Sequence, residues 1–378
     1  MYDRAEQAGD SEIGQPSSWS GWSWFLAVGA PLLVYLAVVV AQYDGRPYLR
    51  GDCQYYFYTS VSLLLDHDLD LVNQLPRPLV RHSDDVSLDE RGRLVPKHPI
   101  WMAVFALPFI GAFGAPGALL FNLLQLVLLL YLMARLAGRF ASPKASSLAV
   151  ALTGIASILP HYVWNFSPDI FSSLLLAAGL VALPAERSPS RLHHILAGVF
   201  LGFAAISKFS LFLALPGVPL LCGQPYRRTL PALAVGFSIP ACLWLALNFH
   251  LFGSPLVTSY DRMARIDRNT VIVHSQRSDF GHPVQDGARD QIFDRVHGLL
   301  FTSPITLLAM FGLYPLSRRN PRQALYLLAT FVMIFLFFST YGQWRASHYG
   351  NRFLMPIIIL ATVPLASLLD AVRFSRGP

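Results

Sequence analysis

The stretch Arg50-Gly51-Asp52-Cys53-Gln54-Tyr55-Tyr56 sets a carboxylate between a basic residue and two phenols, directly after a long apolar run. In such a mixed aqueous and apolar setting, burial and neighbouring charge tune how tightly a carboxylate holds a proton, which is what a general base requires. The competing role for Asp52 is structural, because Asp is a preferred helix N-cap and a helix is expected to follow. Two further stretches carry cations. Val95-Pro96-Lys97-His98-Pro99 offers a lysine, and Gln343-Trp344-Arg345-Ala346-Ser347-His348-Tyr349-Gly350-Asn351-Arg352 packs two arginines, a histidine and two aromatic residues into ten positions. Arginine grips phosphate oxygens with a planar fork, lysine acts as a point charge, and Trp or Tyr offers a face to a sugar or an isoprenoid. The competing reading of 343–352 is an interfacial aromatic belt with snorkelling arginines.

Other polar residues interrupt apolar sequence. Asp169, in Asn165-Phe166-Ser167-Pro168-Asp169, stands at the mouth of an apolar run, where a helix start would also account for it. Lys208 lies between two apolar runs and is expected to snorkel to the interface. Asn248-Phe249-His250 and Tyr260-Asp261-Arg262 bracket a polar loop expected to form a lid or wall. Cys53, Cys222 and Cys242 lie apart, giving neither a disulfide framework nor a metal spacing, and read as packing residues.

The elements that must position these groups follow from composition. Of 378 residues, 54% are hydrophobic and 13% charged, against about 25% charged in soluble domains. That marks an integral membrane protein. Residues 21–41 carry no charge and no small-residue cleavage site follows them, so they read as a retained span. Further apolar runs near 98–113, 116–137, 145–160, 166–184, 192–207, 208–222, 229–252, 297–316, 323–341 and 352–372 bring the count to about eleven membrane segments. The expected fold is therefore all-α: one polytopic transmembrane helical bundle over residues 21–378, preceded by a disordered cytoplasmic tail, 1–20. Residues 42–97 form a large first loop holding Asp66, Asp68, Asp70, Asp84, Asp85, Asp89 and Glu90, with an amphipathic surface helix over 55–65.

The net charge of +7 resides in short clusters such as Arg135/Arg139/Lys144 and Arg318/Arg319/Arg322, as cytoplasmic loops do, and not in a nucleic-acid-binding patch. These clusters put 253–296 and 342–351 outside. The first loop must also be outside, which leaves 98–113 either re-entrant or one basic cluster on the other side. No Walker sequence, dinucleotide glycine fingerprint or nucleotide-binding domain is present, so a donor must come from the membrane. A polyprenyl-phosphate sugar fits: its phosphate suits the cations, its tail suits apolar grooves, and its transfer needs a carboxylate.

On Gly51-Asp52 with Tyr55-Tyr56, Leu64-Leu65-Asp66-His67-Asp68-Leu69-Asp70, Lys97-His98-Pro99, Asn248 with Phe252-Gly253-Ser254-Pro255, Gly298-Leu299-Leu300-Phe301-Thr302-Ser303-Pro304 and Tyr349-Gly350-Asn351-Arg352-Phe353, the chain resembles a known family. It is similar to the GT-C polyprenyl-phosphate-sugar-dependent glycosyltransferases, most nearly the aminoarabinose-transferase-like and protein O-mannosyltransferase-like group of bacterial membrane enzymes. The resemblance implies Asp52 as the base or acceptor-orienting acid and Lys97 as a contact of the donor phosphate; the anion-binding composition of 343–352 adds Arg345 and Arg352, at least one of which is expected to bind the phosphate too. Tyr55, Tyr56, His98, Asp169, His348 and Tyr349 are then expected at the substrate. The implied partners are a polyprenyl-phosphate-linked sugar and an extracytoplasmic lipid, polysaccharide or protein acceptor, at the bacterial inner membrane with the active site facing outside. Two departures stand out: Cys53 takes the place of a second acid, which leaves divalent-metal use open, and His98 stands where a proline is frequent. The rival class is a lipid or glycolipid flippase or transporter, whose intramembrane charges would line a path to the cytoplasm.

Overall fold

A computed structural model describes residues 19–42, 49, 51–75, 81–183, 190–221, 226–267, 270–345 and 349–374. The tail expected over 1–20 lies outside them as far as residue 18, and so does His348. Among the described residues, five helices are long and apolar enough to cross a membrane: Gly21–Gln42, Ala115–Ala137, Thr229–Phe252, Pro321–Ser339 and Arg352–Val372. Shorter apolar helices, Trp101–Phe113, Pro168–Ala182 and Arg191–Ser207, pack among them. Val235, Ile239 and Leu243, one helical turn apart, point outward as a lipid-facing stripe would. The opposite face of that helix meets Arg191–Ser207 at backbone contact. A Cβ on Gly198 would fall 2.2 Å from the Leu233 carbonyl oxygen, and one on Gly236 2.0 Å from that of Ile195. Small residues let membrane helices approach in this way.

Several apolar runs are not simple helical crossings. Trp101–Phe113 has 13 residues, about 20 Å at 1.5 Å per residue, and is too short to cross a hydrocarbon core of roughly 30 Å alone. The run 208–222, read from sequence as a membrane segment, is two 3-10 stretches, Phe209–Ala214 and Val218–Leu221. Pro216, Gly217 and Pro219 deny it the amide donors and stiffness of a helix. The run 145–160 stops at Ile155 and unwinds before the 3-10 turn Leu159–Tyr162. Asn122 satisfies the freed backbone, its amide donating to the Tyr162 and Val163 carbonyls at 2.9 and 2.6 Å. The helix resumes at Pro168, where the Ser167 hydroxyl accepts the Asp169 amide at 3.3 Å.

The all-α expectation needs correction outside the bundle. β1 (Arg81–Leu88), β2 (Leu94–Pro96), β3 (Met263–Asp267) and β4 (Thr270–His274) form a four-stranded antiparallel sheet in the order β2-β1-β3-β4. Val86 lies opposite Pro96 on one side and Ala264 on the other. β1 is largely polar and its central partner comes from far along the chain, so no local alternation announces it. The sheet joins the first loop to the loop after Phe252. The Ser87 hydroxyl donates to the Ser259 carbonyl at 2.7 Å, and the Ser259 hydroxyl to the Lys97 carbonyl at 2.5 Å. Lys97, His98 and Tyr260 thereby arrive at one place.

Candidate active site

The helix expected over 55–65 runs from Asp52 to Leu65, and its buried side carries Cys53, Tyr55, Tyr56, Thr59, Ser60 and Ser62. Gly51 takes φ 56°, a left-handed conformation that suits glycine. Asp52 is the first helical residue, and its carboxylate faces a cavity of about 660 Å³ instead of capping the helix. Four element ends meet at the floor of this cavity. Arg352, at the start of the last long helix, donates from Nη2 to Asp52 Oδ2, while its Nε lies 3.9 Å from Asp169 Oδ2. Asp169 Oδ1 accepts Lys208 Nζ at 2.5 Å. Lys208 also donates to the Arg352 and Phe353 carbonyls at 3.4 Å.

The result is a row of alternating charge: Asp52, Arg352, Asp169, Lys208. Buried ions persist when each has an opposite neighbour. Lys208 therefore does not snorkel: its side chain is 12% exposed and bound into the floor. Burial acts to raise the Asp52 carboxyl, but Arg352, His98 and Lys97 prevail and hold it well below the ordinary carboxylate range.

His98 stacks on the Tyr56 ring, with centroids 5.4 Å apart and planes at 21°. Its Nε2 lies 3.6 Å from Asp52 Oδ1 and its Nδ1 3.3 Å from the Tyr260 hydroxyl. Burial pushes the Tyr260 phenol up, so it remains protonated. Burial likewise raises the Cys53 thiol, which donates to Asn165 Oδ1 at 2.6 Å. The residue after Asp52 is thus a neutral, hydrogen-bonded group. Phe209, Phe212, Trp244, Phe280, Phe337 and Tyr341 supply aromatic walls. Asp261 and Arg277 pair at 3.1 Å on the rim, so the loop after Phe252 forms a wall.

Of the residues expected at the base, phosphate or substrate positions, Asp52, Tyr56, Lys97, His98, Asp169 and Arg352 line this cavity. Tyr55 instead fills a small core with Leu71, Leu75, Val86 and Leu94. Arg345 pairs with Asp290 at 2.6 Å and Asp294 at 3.3 Å and lies over the Trp344 ring, away from the cavity lining. Tyr349 meets His161 with its ring and accepts the Tyr162 hydroxyl on its carbonyl. Among the described residues, no three His, Cys, Asp or Glu side chains group as a metal site. The floor carboxylates are already met by guanidinium and ammonium groups, a donor set that does not fit a divalent ion. Sequence reasoning undervalued Lys208 and left Tyr260 without a chemical role. The signal for Lys208 was available: an intramembrane cation implies a partner acid, and Asp169 has the same requirement.

The fold is similar to the GT-C fold of solved membrane glycosyltransferases. Among solved structures, ArnT from Cupriavidus metallidurans bound to undecaprenyl phosphate aligns with a TM-score of 0.56 and 16% identity, over 95% of this chain and 61% of that one. The Archaeoglobus fulgidus oligosaccharyltransferase, tethered with an acceptor peptide containing the NVT sequon, aligns with a TM-score of 0.58 and 13% identity, over 94% of this chain and 50% of that one. The chain thus spans between half and about three-fifths of the length of these proteins. No protein-family model and no curated protein sequence matches it.

Proposed function

We propose that the chain is an integral membrane glycosyltransferase that moves a sugar from a polyprenyl-phosphate donor to an acceptor hydroxyl outside the cytoplasm. The observation that carries this reading is the buried charge row Asp52, Arg352, Asp169 and Lys208 at the floor of an aromatic-walled cavity. Lys97 and Arg352 neutralise the donor phosphate, and of the two candidate arginines Arg352 is favoured because it lines the cavity, whereas Arg345 lies away from it. The aromatic walls receive the sugar and the first isoprene units. Asp52 accepts the acceptor proton as the acceptor oxygen bonds to the anomeric carbon. The bond from that carbon to phosphate oxygen breaks, and its electron pair leaves with the polyprenyl phosphate. Direct displacement inverts the anomeric carbon and leaves no sugar on the protein.

Two supports come from outside the site. One fold neighbour was solved with undecaprenyl phosphate, and most of the basic clusters favour a cavity that opens outside the cytoplasm. The concentration of charge in one cavity favours transfer over transport, which would need a polar path through the bundle. Purified protein in lipid nanodiscs, given a synthetic polyprenyl-phosphate sugar and envelope acceptors, should release polyprenyl phosphate and form an inverted glycoside. Translocation of intact donor across a vesicle without cleavage would overturn this function.

A further inference from the structure

A carboxylate facing cations binds a proton weakly. Asp52 is such a group: Arg352 meets one oxygen and His98 approaches the other. A proton taken from the acceptor therefore needs a better resting place before the next cycle. His98 stands next in line, with Nε2 toward Asp52 and Nδ1 toward the Tyr260 hydroxyl. Stacking on Tyr56 fixes the plane of its ring, so both nitrogens keep these directions. Histidine is the side chain most often used as a general acid or base, and its two ring nitrogens can take and release a proton on opposite sides. The groups facing His98 are Asp52 and Tyr56 from the surface helix and Tyr260 from the outer loop. Lys97 precedes it in sequence, and Arg352 lies beyond Asp52.

We propose that Asp52, His98 and Tyr260 form a proton relay in which His98 holds the acceptor's proton after transfer and releases it past Tyr260 toward the rim. This rests on the glycosyl-transfer reading. The acceptor O–H bond breaks as its oxygen bonds to the anomeric carbon, and the proton enters through Asp52 to His98 Nε2. The imidazolium is then held between the Asp52 carboxylate and the Tyr260 oxygen, and a proton departs from Nδ1. Tyr260 passes it toward the Asp261–Arg277 pair at the cavity rim. His98 stands at a position where the resembling family often has proline.

The test is the pH profile of turnover at saturating donor. In the parent, turnover should decline in acid with an inflection that depends on His98. His98→Gln should lower turnover roughly 10–100-fold, and that inflection should vanish. Tyr260→Phe should lower turnover less and keep the inflection. For His98→Gly, added imidazole should restore turnover in step with imidazole's own ionisation, which guards against a variant that merely folds poorly. A His98→Gln enzyme within twofold of the parent, or one that slows while retaining the inflection, overturns the relay alone; so does failure of imidazole to restore His98→Gly. A parent that cleaves no polyprenyl-phosphate sugar overturns the transfer reading and the relay with it.

Discussion

Arg345 and Arg352 sit in one stretch of chain, and each meets two aspartates, yet their settings differ. Arg345 is about half exposed and ties its loop to Asp290 and Asp294, while Gln291 and Asn351 make a buried hydrogen bond of 3.1 Å between the same two segments. Arg352 is 13% exposed and bridges Asp52 and Asp169 on the cavity floor. Exposed ion pairs contribute about 0–1 kcal/mol, whereas removing one member of a buried pair costs about 3–5 kcal/mol by stranding its partner. The outer cluster therefore holds a loop in place, and the inner one concentrates charge where a phosphate and a proton acceptor are needed.

Substitutions can break this contrast. Arg352→Met should have the larger effect, lowering stability by about 3–5 kcal/mol in detergent unfolding and transfer by more than roughly 100-fold. If it cost no more than Arg345→Met, the distinction between floor and latch would collapse. Lys97→Ala should raise the donor requirement about tenfold, corresponding to about 1.4 kcal/mol, with turnover at saturation little changed. Unchanged donor binding by the purified variant would remove Lys97 from the phosphate site.

Asp52 gives the contrast a pH signature. Its folded carboxyl is held below the ordinary carboxylate value of 3.8 by Arg352, His98 and Lys97 against the effect of burial. The unfolded chain therefore binds a proton first as the medium is acidified. The associated stability is fully present above the ordinary carboxylate range and is lost as pH falls below about 3.8 toward the folded value. Melting curves from pH 5 downward should fall more steeply for the parent than for Asp52→Asn. Equal slopes would show that the pairing carries no net stability. The smallest effect belongs to Arg345→Ala, which should stay within about threefold in transfer and about 1 kcal/mol in stability.

The helical bundle was legible because long apolar runs have few alternatives in a bilayer. Asp52, Lys97 and His98 were legible because each lies beside a span boundary, where a charged residue invites a reason. The sheet was not: β1 finds its central partner in β3 after the chain has crossed most of the bundle, and its polar sequence has no clear alternation. Arg345 and Arg352 could not be separated by composition, since exposure depends on acids contributed by Asp290, Asp294, Asp52 and Asp169 from three other segments. Lys208 was misjudged for the same reason. Snorkelling is the low-energy choice for a lysine only when no buried acid lies within reach.

The most direct measurement compares purified parent and Asp52→Asn protein for transfer from a synthetic polyprenyl-phosphate sugar, with donor binding measured in parallel. Asparagine keeps the shape and much of any capping ability of Asp52 but cannot take a proton. The account predicts a loss of about 10²–10⁴-fold in turnover with donor binding and folding retained. Turnover within a few-fold of the parent would contradict it and leave Asp52 as a structural partner of Arg352.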